Sequence, residues 1–475
     1  VHGVKLPLYS TSTSAIGELT DDSKGLSCTP STAAKAGRDD FAYLPQFWTL
    51  EVAMERHADG SHTVNKIEFI DDIEDVRSGK YGLCQVLQKN TWTKEWKDSQ
   101  YHYMQMCCNP ADKSGWHTWP QGTDRNGAVY AYIANPKYAA GIGADGIITC
   151  GTGLAPVNFT SHNAGVALWR KRGAQYSGVA GNLIKWQLAM IWLKYARKGN
   201  SGTIEGCSSY YWGYPAAVSE TAATRIVVTE ANAILDGCSV AIGLVAEGGT
   251  FDQWGANKYN VFKHKRIKSI ESVTISGTKY KAINLELAAG ETIDTVAGRT
   301  YISSVPYASG WNDGVLGYDG SRINCTNGKE PGLIQRTEFQ NGAYLILSDE
   351  LWQWETEADG SYSLNCYTCH DQSKVTTNGT ISADYEKQSD LALVFATDHG
   401  DKWTYIEDVA IGADPGILWP AKVSTAAGSG TGVKAGFYAQ PRSSGVRAGW
   451  CCCGLSTYGR AGLAARGSRA GLTTS

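Results

Sequence analysis

The stretch PRSSGVRAGWCCCGLSTYGRAGLAARGSRAGLTTS, residues 441–475, decides how the whole chain is read. Apart from Pro441, Val446 and Trp450 it uses only Gly, Ala, Ser, Thr, Leu, Arg, Cys and Tyr. Glycine recurs at 445, 449, 454, 459, 462, 467 and 471, too often for an amphipathic helix. Trp450, Cys451, Cys452, Cys453, Tyr458, Arg460, Arg466 and Arg469 stand on this small-residue frame. Aromatic and Arg side chains on an adaptable backbone suit a binding surface, because they supply contact energy at modest entropic cost. The competing reading is a Gly/Ser/Ala tail without fixed structure.

Outward from that stretch, composition bounds the rest. A chain of 475 residues holds roughly three domains. Sixteen Trp, twenty-five Tyr and 42% apolar residues make it globular, and 54 Gly make it rich in turns. Only one long stretch reads as helix, so the class is α+β and β-rich. Net charge is −3, but no acid follows Asp414, while Lys422, Lys434, Arg442, Arg447, Arg460, Arg466 and Arg469 do. That basic end suits an acidic glycan or envelope surface. No nucleic-acid motif or dense Lys/Arg cluster accompanies it, so no nucleic-acid partner is expected. The thirteen Cys include the neighbours Cys107 and Cys108 and the Cys451–Cys453 run, which cannot all pair comfortably with one another. Most are read as reduced, buried small hydrophobes. No signal peptide and no apolar run of about eighteen residues occurs, so no membrane insertion is expected. The chain begins at Val1, so its true start is expected to lie upstream.

Residues 1–40, rich in Ser, Thr, Ala and Gly, read as an arm or linker for attachment to a neighbouring chain. A β-rich attachment domain follows over 41–150. It opens with a hairpin in which FWTLEVAMER and HTVNKIEFI flank Ala58-Asp59-Gly60. The acidic cluster Glu68, Asp71, Asp72, Glu74 and Asp75 reads as a solvated loop face rather than a Ca²⁺ site. From 181 to 198 Ile184, Leu188, Ile191 and Tyr195 recur at helical spacing, with Lys185, Lys194 and Arg197 elsewhere around the helix, Asn182 as N-cap and Arg197-Lys198-Gly199 as stop. Residues 224–300 alternate short strands (TRIVVT, CSVAIGLV, HKRIKSIESVTI, KYKAINLEL) with a helical turn or two at EANAILDG. They resemble a small β-barrel inserted into a larger domain.

Spacing sharpens the reading of the C-terminus. Ser443-Ser-Gly-Val-Arg-Ala-Gly-Trp450, a short variable run and Gly459-Arg-Ala-Gly-Leu463 resemble the variable region of target proteins of diversity-generating retroelements. Those elements rewrite template adenines, turning AAC codons into NNC codons. Cys, Gly, Thr, Tyr, Arg, Ser, Ala and Leu are among the outcomes; Trp, Lys, Glu, Gln and Met are not. Residues 451–475 keep to that alphabet. Ser161–Asn163, Gly206–Tyr210, Asp319–Ser321 and Gly328–Pro331 are also similar to segments of such proteins, which extends the resemblance over Val157–Ser475.

The resemblance implies a C-type-lectin-like domain over 151–475, of the type shared with formylglycine-generating enzymes, with 224–300 as insertion and 441–475 as the variable ligand-binding region. Many members are phage tail receptor-binding proteins similar to the major tropism determinant. It further implies a homotrimer on the virion, assembled in the host bacterial cytoplasm. Its partners would be a bacterial surface protein or glycan and other tail proteins. Cys451, Cys452, Cys453, Thr457, Tyr458, Arg460, Arg466 and Arg469 would be contact positions, and Trp450, Leu455 and Leu463 framework. Members usually continue into another aromatic-containing strand, whereas this chain stops at Ser475, so a truncated or frame-altered end is expected.

No catalytic residue, metal or cofactor is assigned. Gly141-Ile-Gly-Ala-Asp-Gly146 matches G-x-G-x-x-G, but IITC after it reads as a strand and no acid lies about 20 residues on. Trp311-Asn312-Asp313 and Glu330-Pro331 are similar to the calcium motifs of sugar-binding lectins, in reversed order and with Gly332 in place of the amide. Cys366-Tyr-Thr-Cys369-His370 has the c-type haem spacing but reads as chance or a structural pair, since a metal needs further ligands. No G-x-S-x-G, H-E-x-x-H or Walker loop occurs. The expected protein is not an enzyme. The rivals are a structural tail or capsid component, and an enzyme on the formylglycine-type fold, for which the fold alone is no warrant.

Overall fold

The long helix forms where its pattern places it, as Gly181–Tyr195, and the rest of the molecule is arranged around it. The computed structural model describes residues 1–7, 16–123, 127–158, 160–197, 213–252, 256–325, 329–339, 344–356 and 362–391, with short pieces between them. Beyond 391 it describes only the strands Asp408–Ile411, Pro420–Val423, Lys434–Gln440, Gly449–Gly454 and Arg466–Gly467. The described residues are strand-rich. Apart from the long helix, their α-helices are Ile73–Arg77 and His162–Arg170.

Leu, Gln, Ala, Met and Lys give the long helix its propensity, but its surroundings were misread. An apolar stripe with cations around it was expected; in fact every residue except Lys185 and Tyr195 is buried. The cause is position. One side of the helix meets strands of the N-terminal sheet, and another meets Tyr344–Thr356 and Gly449–Gly454 of the C-terminal sheet. Being covered all round, the helix buries even Asn182, Gln187 and Lys194 along with its apolar residues. Its ends also differ from expectation. Ala180, not Asn182, holds the cap position, and the Gly181 N–H donates to the Asp349 carboxylate at 3.1 Å. At the other end Ala196 turns left-handed (φ 51°), and its carbonyl accepts the Gly17 N–H.

His2–Pro7 lies in the range read as an arm, yet it is a strand within a five-stranded sheet. It pairs with Glu18–Asp21 on one side and Tyr101–Cys107 on the other. Period-two alternation buries His2, Val4 and Leu6. A second sheet holds the expected hairpin, Thr49–Arg56 with His62–Ile67, whose turn uses Gly60 at φ 87°. Leu83–Lys89 and Tyr132–Pro136 complete it. One core gathers Val4, Phe41, Phe47, Met104 and Trp119 with Trp186, Met190, Leu347 and Trp352, so residues from both sides of 150 pack together.

Residues 213–304 form a six-stranded sheet with its own core of Ile226, Val228, Val240, Ile242, Ile267, Ile283 and Ile302. A two-residue turn, Ser276-Gly277, carries positive φ at both positions and joins its two longest strands, as a type I′ hairpin requires. At EANAILDG, where a helical turn or two is expected, no helix forms, but two isolated turns do, closed by the Ile234 N–H on the Ala231 carbonyl and the Cys238 N–H on the Leu235 carbonyl. There the Ala233 N–H donates to the Tyr214 hydroxyl and the Leu235 N–H to the Cys238 thiol, partners that compete with helical bonding.

Candidate functional site

The C-terminal segment contributes strands to a sheet anchored on the described body. Gly449–Gly454 runs antiparallel to Lys434–Gln440, with Tyr438 opposite Cys453, and parallel to Pro420–Val423, with Ala421 opposite Cys453. Trp450, Cys451, Cys452 and Cys453 therefore lie on an interior strand with a neighbour on each side. Arg466–Gly467 pairs parallel with Tyr344–Leu345. A single row crosses the sheet through Gly467, Leu345, Tyr438, Cys453 and Ala421. Three strand spacings thus separate the backbone of Gly467 from that of Cys453, roughly 14 Å. Thr457, Tyr458, Arg460, Arg469, Leu455 and Leu463 lie outside the described residues.

The other motifs resolve into structural roles. Gly141–Ile142 and Ile148–Thr149 form a hairpin with Gly146 at φ 77°, so the glycine-rich match opens a strand and not a helix. In the acidic cluster, Asp72 caps Ile73–Arg77, and Asp71 takes the Ile67 N–H and the Lys66 ammonium. Glu68 takes the Glu51 N–H and pairs with Arg336. This is partly a departure from the solvated face expected, since Glu68 is turned inward. In the C-x-x-C-H stretch burial, then the Asp349 charge, pushes the Cys369 thiol up to about 12. Its sulfur donates to the Asp371 carbonyl, and the His370 ring lies 2.7 Å from Glu386.

The W-N-D motif is divided between two environments. Asp313 accepts from the Tyr138 hydroxyl at 2.6 Å and the Thr152 hydroxyl at 2.7 Å, and lies 3.7 Å from the Lys137 ammonium. Its charge is met by internal cations. Glu330 instead takes the Asn324 N–H at 2.9 Å. Trp311 lines an open pocket of about 530 Å³ together with Arg266, Lys268, Asp236, Glu286 and Arg322. The Arg266 and Arg322 guanidiniums lie 5.0 and 4.4 Å from its ring centroid, at cation–π range.

Two buried ionic groups went unread in the sequence. Glu51 receives Arg77 at 2.6 Å and Lys137 at 3.0 Å. Burial raises its carboxyl, but Lys137, Arg77 and Arg336 together hold it down at about 2. Nearby Glu338 accepts the Gly310 and Asn312 N–H groups, while burial and then the Asp313 charge push its carboxyl up to about 7. The second group joins Lys194, Asp39 and Asp319 beside the long helix. The available signal was one charged residue inside an apolar run: Glu51 in WTLEVAM and Lys194 in IWLKYA. No family model matches the chain, and no curated protein does.

Proposed function

We propose that this is a phage-type receptor-binding protein, with a C-type-lectin-like domain over 151–475 and a surface diversified by a retroelement at 441–475. The observation that carries the reading is the restricted alphabet of 451–475. It is supported by the way this segment enters the sheet, since Gly449–Gly454 lies against the fully packed long helix. Rigid support of that kind lets exposed side chains change without loss of fold. The bridge Ala216–Val228, which links the two edge strands of the six-stranded module, favours reading that module as a small barrel. Weak contacts per copy would gain from a homotrimer and from several copies on a virion tail, with a bacterial surface protein or glycan as ligand.

The direct test is to sequence the encoding locus and compare codons 441–475 with any near-repeat beside a reverse transcriptase. Differences confined to template adenines are expected, and they would name the contact residues. Differences at all four bases, or no repeat, would sink the reading. At the protein level, Tyr458→Ala with Arg460→Ala should abolish adhesion to host cells and leave the melting temperature unchanged. An equal loss of stability would mean that these positions belong to the core.

A further inference from the structure

Lys194 sits on the last turn of the long helix, fully withdrawn from solvent, between two carboxyl groups from distant parts of the chain. Its ammonium bonds the Asp39 carboxylate at 2.8 Å, the Gln335 amide oxygen at 2.9 Å and Oδ2 of Asp319. Asp319 is buried beside it. Its Oδ1 accepts the Gln335 N–H at 2.8 Å, and its Oδ2 accepts the Tyr195 hydroxyl at 3.0 Å. Cys28 completes the cluster, its thiol 3.6 Å from the same Oδ2. Cys28, Asp39 and Asp319 could offer three metal-ligand atoms within 4.8 Å. The ammonium bonded to both carboxyls already supplies the cation that such a site would hold.

An amine held against a carboxyl group in a dry interior, with a second carboxyl in contact with the same amine, is the arrangement that amide formation needs. The geometry points to an intramolecular isopeptide bond joining Lys194 Nζ to Asp319 Cγ, with Asp39 as proton acceptor. The roles follow from the surroundings. Asp319 is the more deeply buried carboxyl, and burial raises its pKa, which favours the neutral acid that can be attacked. Asp39 keeps 17% of its side-chain surface exposed, takes the Phe41 N–H at 3.1 Å and touches the same ammonium at 2.8 Å, which places it to receive the proton.

The step balances without a co-reactant. Asp39 removes one proton from the Lys194 ammonium, and the freed amine attacks Asp319 Cγ. The negative charge that develops on Oδ1 meets the Gln335 N–H. The hydroxyl at Oδ2 leaves as water, taking a second proton that passes from nitrogen through Asp39. The amide nitrogen keeps the third. Asp39 ends protonated, so one cation and one anion become neutral groups and one water departs. The bond would close the entire 213–304 module into a covalent ring.

The test is the intact mass of the full chain, denatured and reduced, followed by tryptic mapping. The expected mass is that of the sequence less one water, with peptide 186–197, uncleaved after Lys194, joined to peptide 300–322. Lys194→Arg should restore the full mass and remove the joined peptide. Asp39→Asn should leave most of the chain at full mass. Asp319 precedes Gly320, and such a pair also loses water by closing a succinimide. A water loss that persists in Lys194→Arg, without a joined peptide, therefore overturns the proposal. So does an unmodified mass in the natural chain, whether or not the variants fold. A bond to peptide 39–56 would overturn the roles given to the two aspartates.

Discussion

At the scale of single residues, the two buried glutamates beside Asp313 should pull stability in opposite directions with pH. Glu51 has its folded pKa lowered from an ordinary value of 4.5 to about 2. Its contribution is fully present above the unfolded pKa and is lost as pH falls through the folded one, between about 4.5 and 2. Glu51→Gln leaves Lys137 and Arg77 buried without their anion. A loss of about 3–5 kcal/mol near neutral pH is expected, with a flatter acid limb in urea titrations. Glu338 is raised from 4.5 to about 7. Between those values the unfolded chain ionises first, so the folded state binds more protons and stability falls as pH rises. Glu338→Gln should remove that slope and be relatively more stable at pH 8 than at pH 5, by on the order of 2–3 kcal/mol compared with the parent. Identical pH profiles for the parent and this variant would refute the assignment. Gly237 gives a sharper steric case. Its φ is 82°, and an added Cβ would stand 2.0 Å from the Trp311 ring. Gly237→Ala should therefore cost on the order of 2 kcal/mol or more, read as a lowered melting temperature.

At the scale of elements, the long helix carries the argument. Trp186 is fully buried within the core it shares with both sheets. Trp186→Ala should cost about 3–5 kcal/mol, and a calorimetric loss below 1 kcal/mol would show that the site collapses freely. The helix also marks how far sequence pattern reaches. Its start and length were legible because periodicity is local. Its burial on every side was not, because the sheets that cover it come from residues 2–107 and 344–454. The same limit hid Lys194, whose partners lie at 39 and 319. Strands with clean alternation, such as Thr49–Arg56 and Phe262–Ile275, were readable one by one. His2–Pro7 was not, since its six residues sit in Ser/Thr-rich surroundings and gain their role only by pairing with Tyr101–Cys107. The C-terminal alphabet was visible at once, but the strand neighbours of Cys451–Cys453 could be found only in three dimensions.

At the scale of the whole molecule, charge and connectivity set the expectations. On the proposed receptor-binding role, the seven cations after Asp414, with no acid among them, would make adhesion to an anionic surface dependent on ionic strength. Raising salt well above physiological levels should weaken binding of the intact protein while its melting temperature stays within a few degrees. Truncation before Pro441 is a different matter from point substitution. It removes Gly449–Gly454, the interior strand between Lys434–Gln440 and Pro420–Val423. Both neighbours then become open edges, and aggregation at micromolar concentration is expected by light scattering.

One topological detail reaches further. In the 213–304 module the first and last strands are partners, with Gly213 opposite Ser303. To the rest of the chain, ninety-odd residues therefore span no more than the gap between adjacent strands, about 5 Å. Such a unit behaves as a cassette. Its far loops can change in length without moving the helix and its two covering sheets, whereas Gly237 and Asn232 stay tied to the body through Trp311 and the Lys329 ammonium.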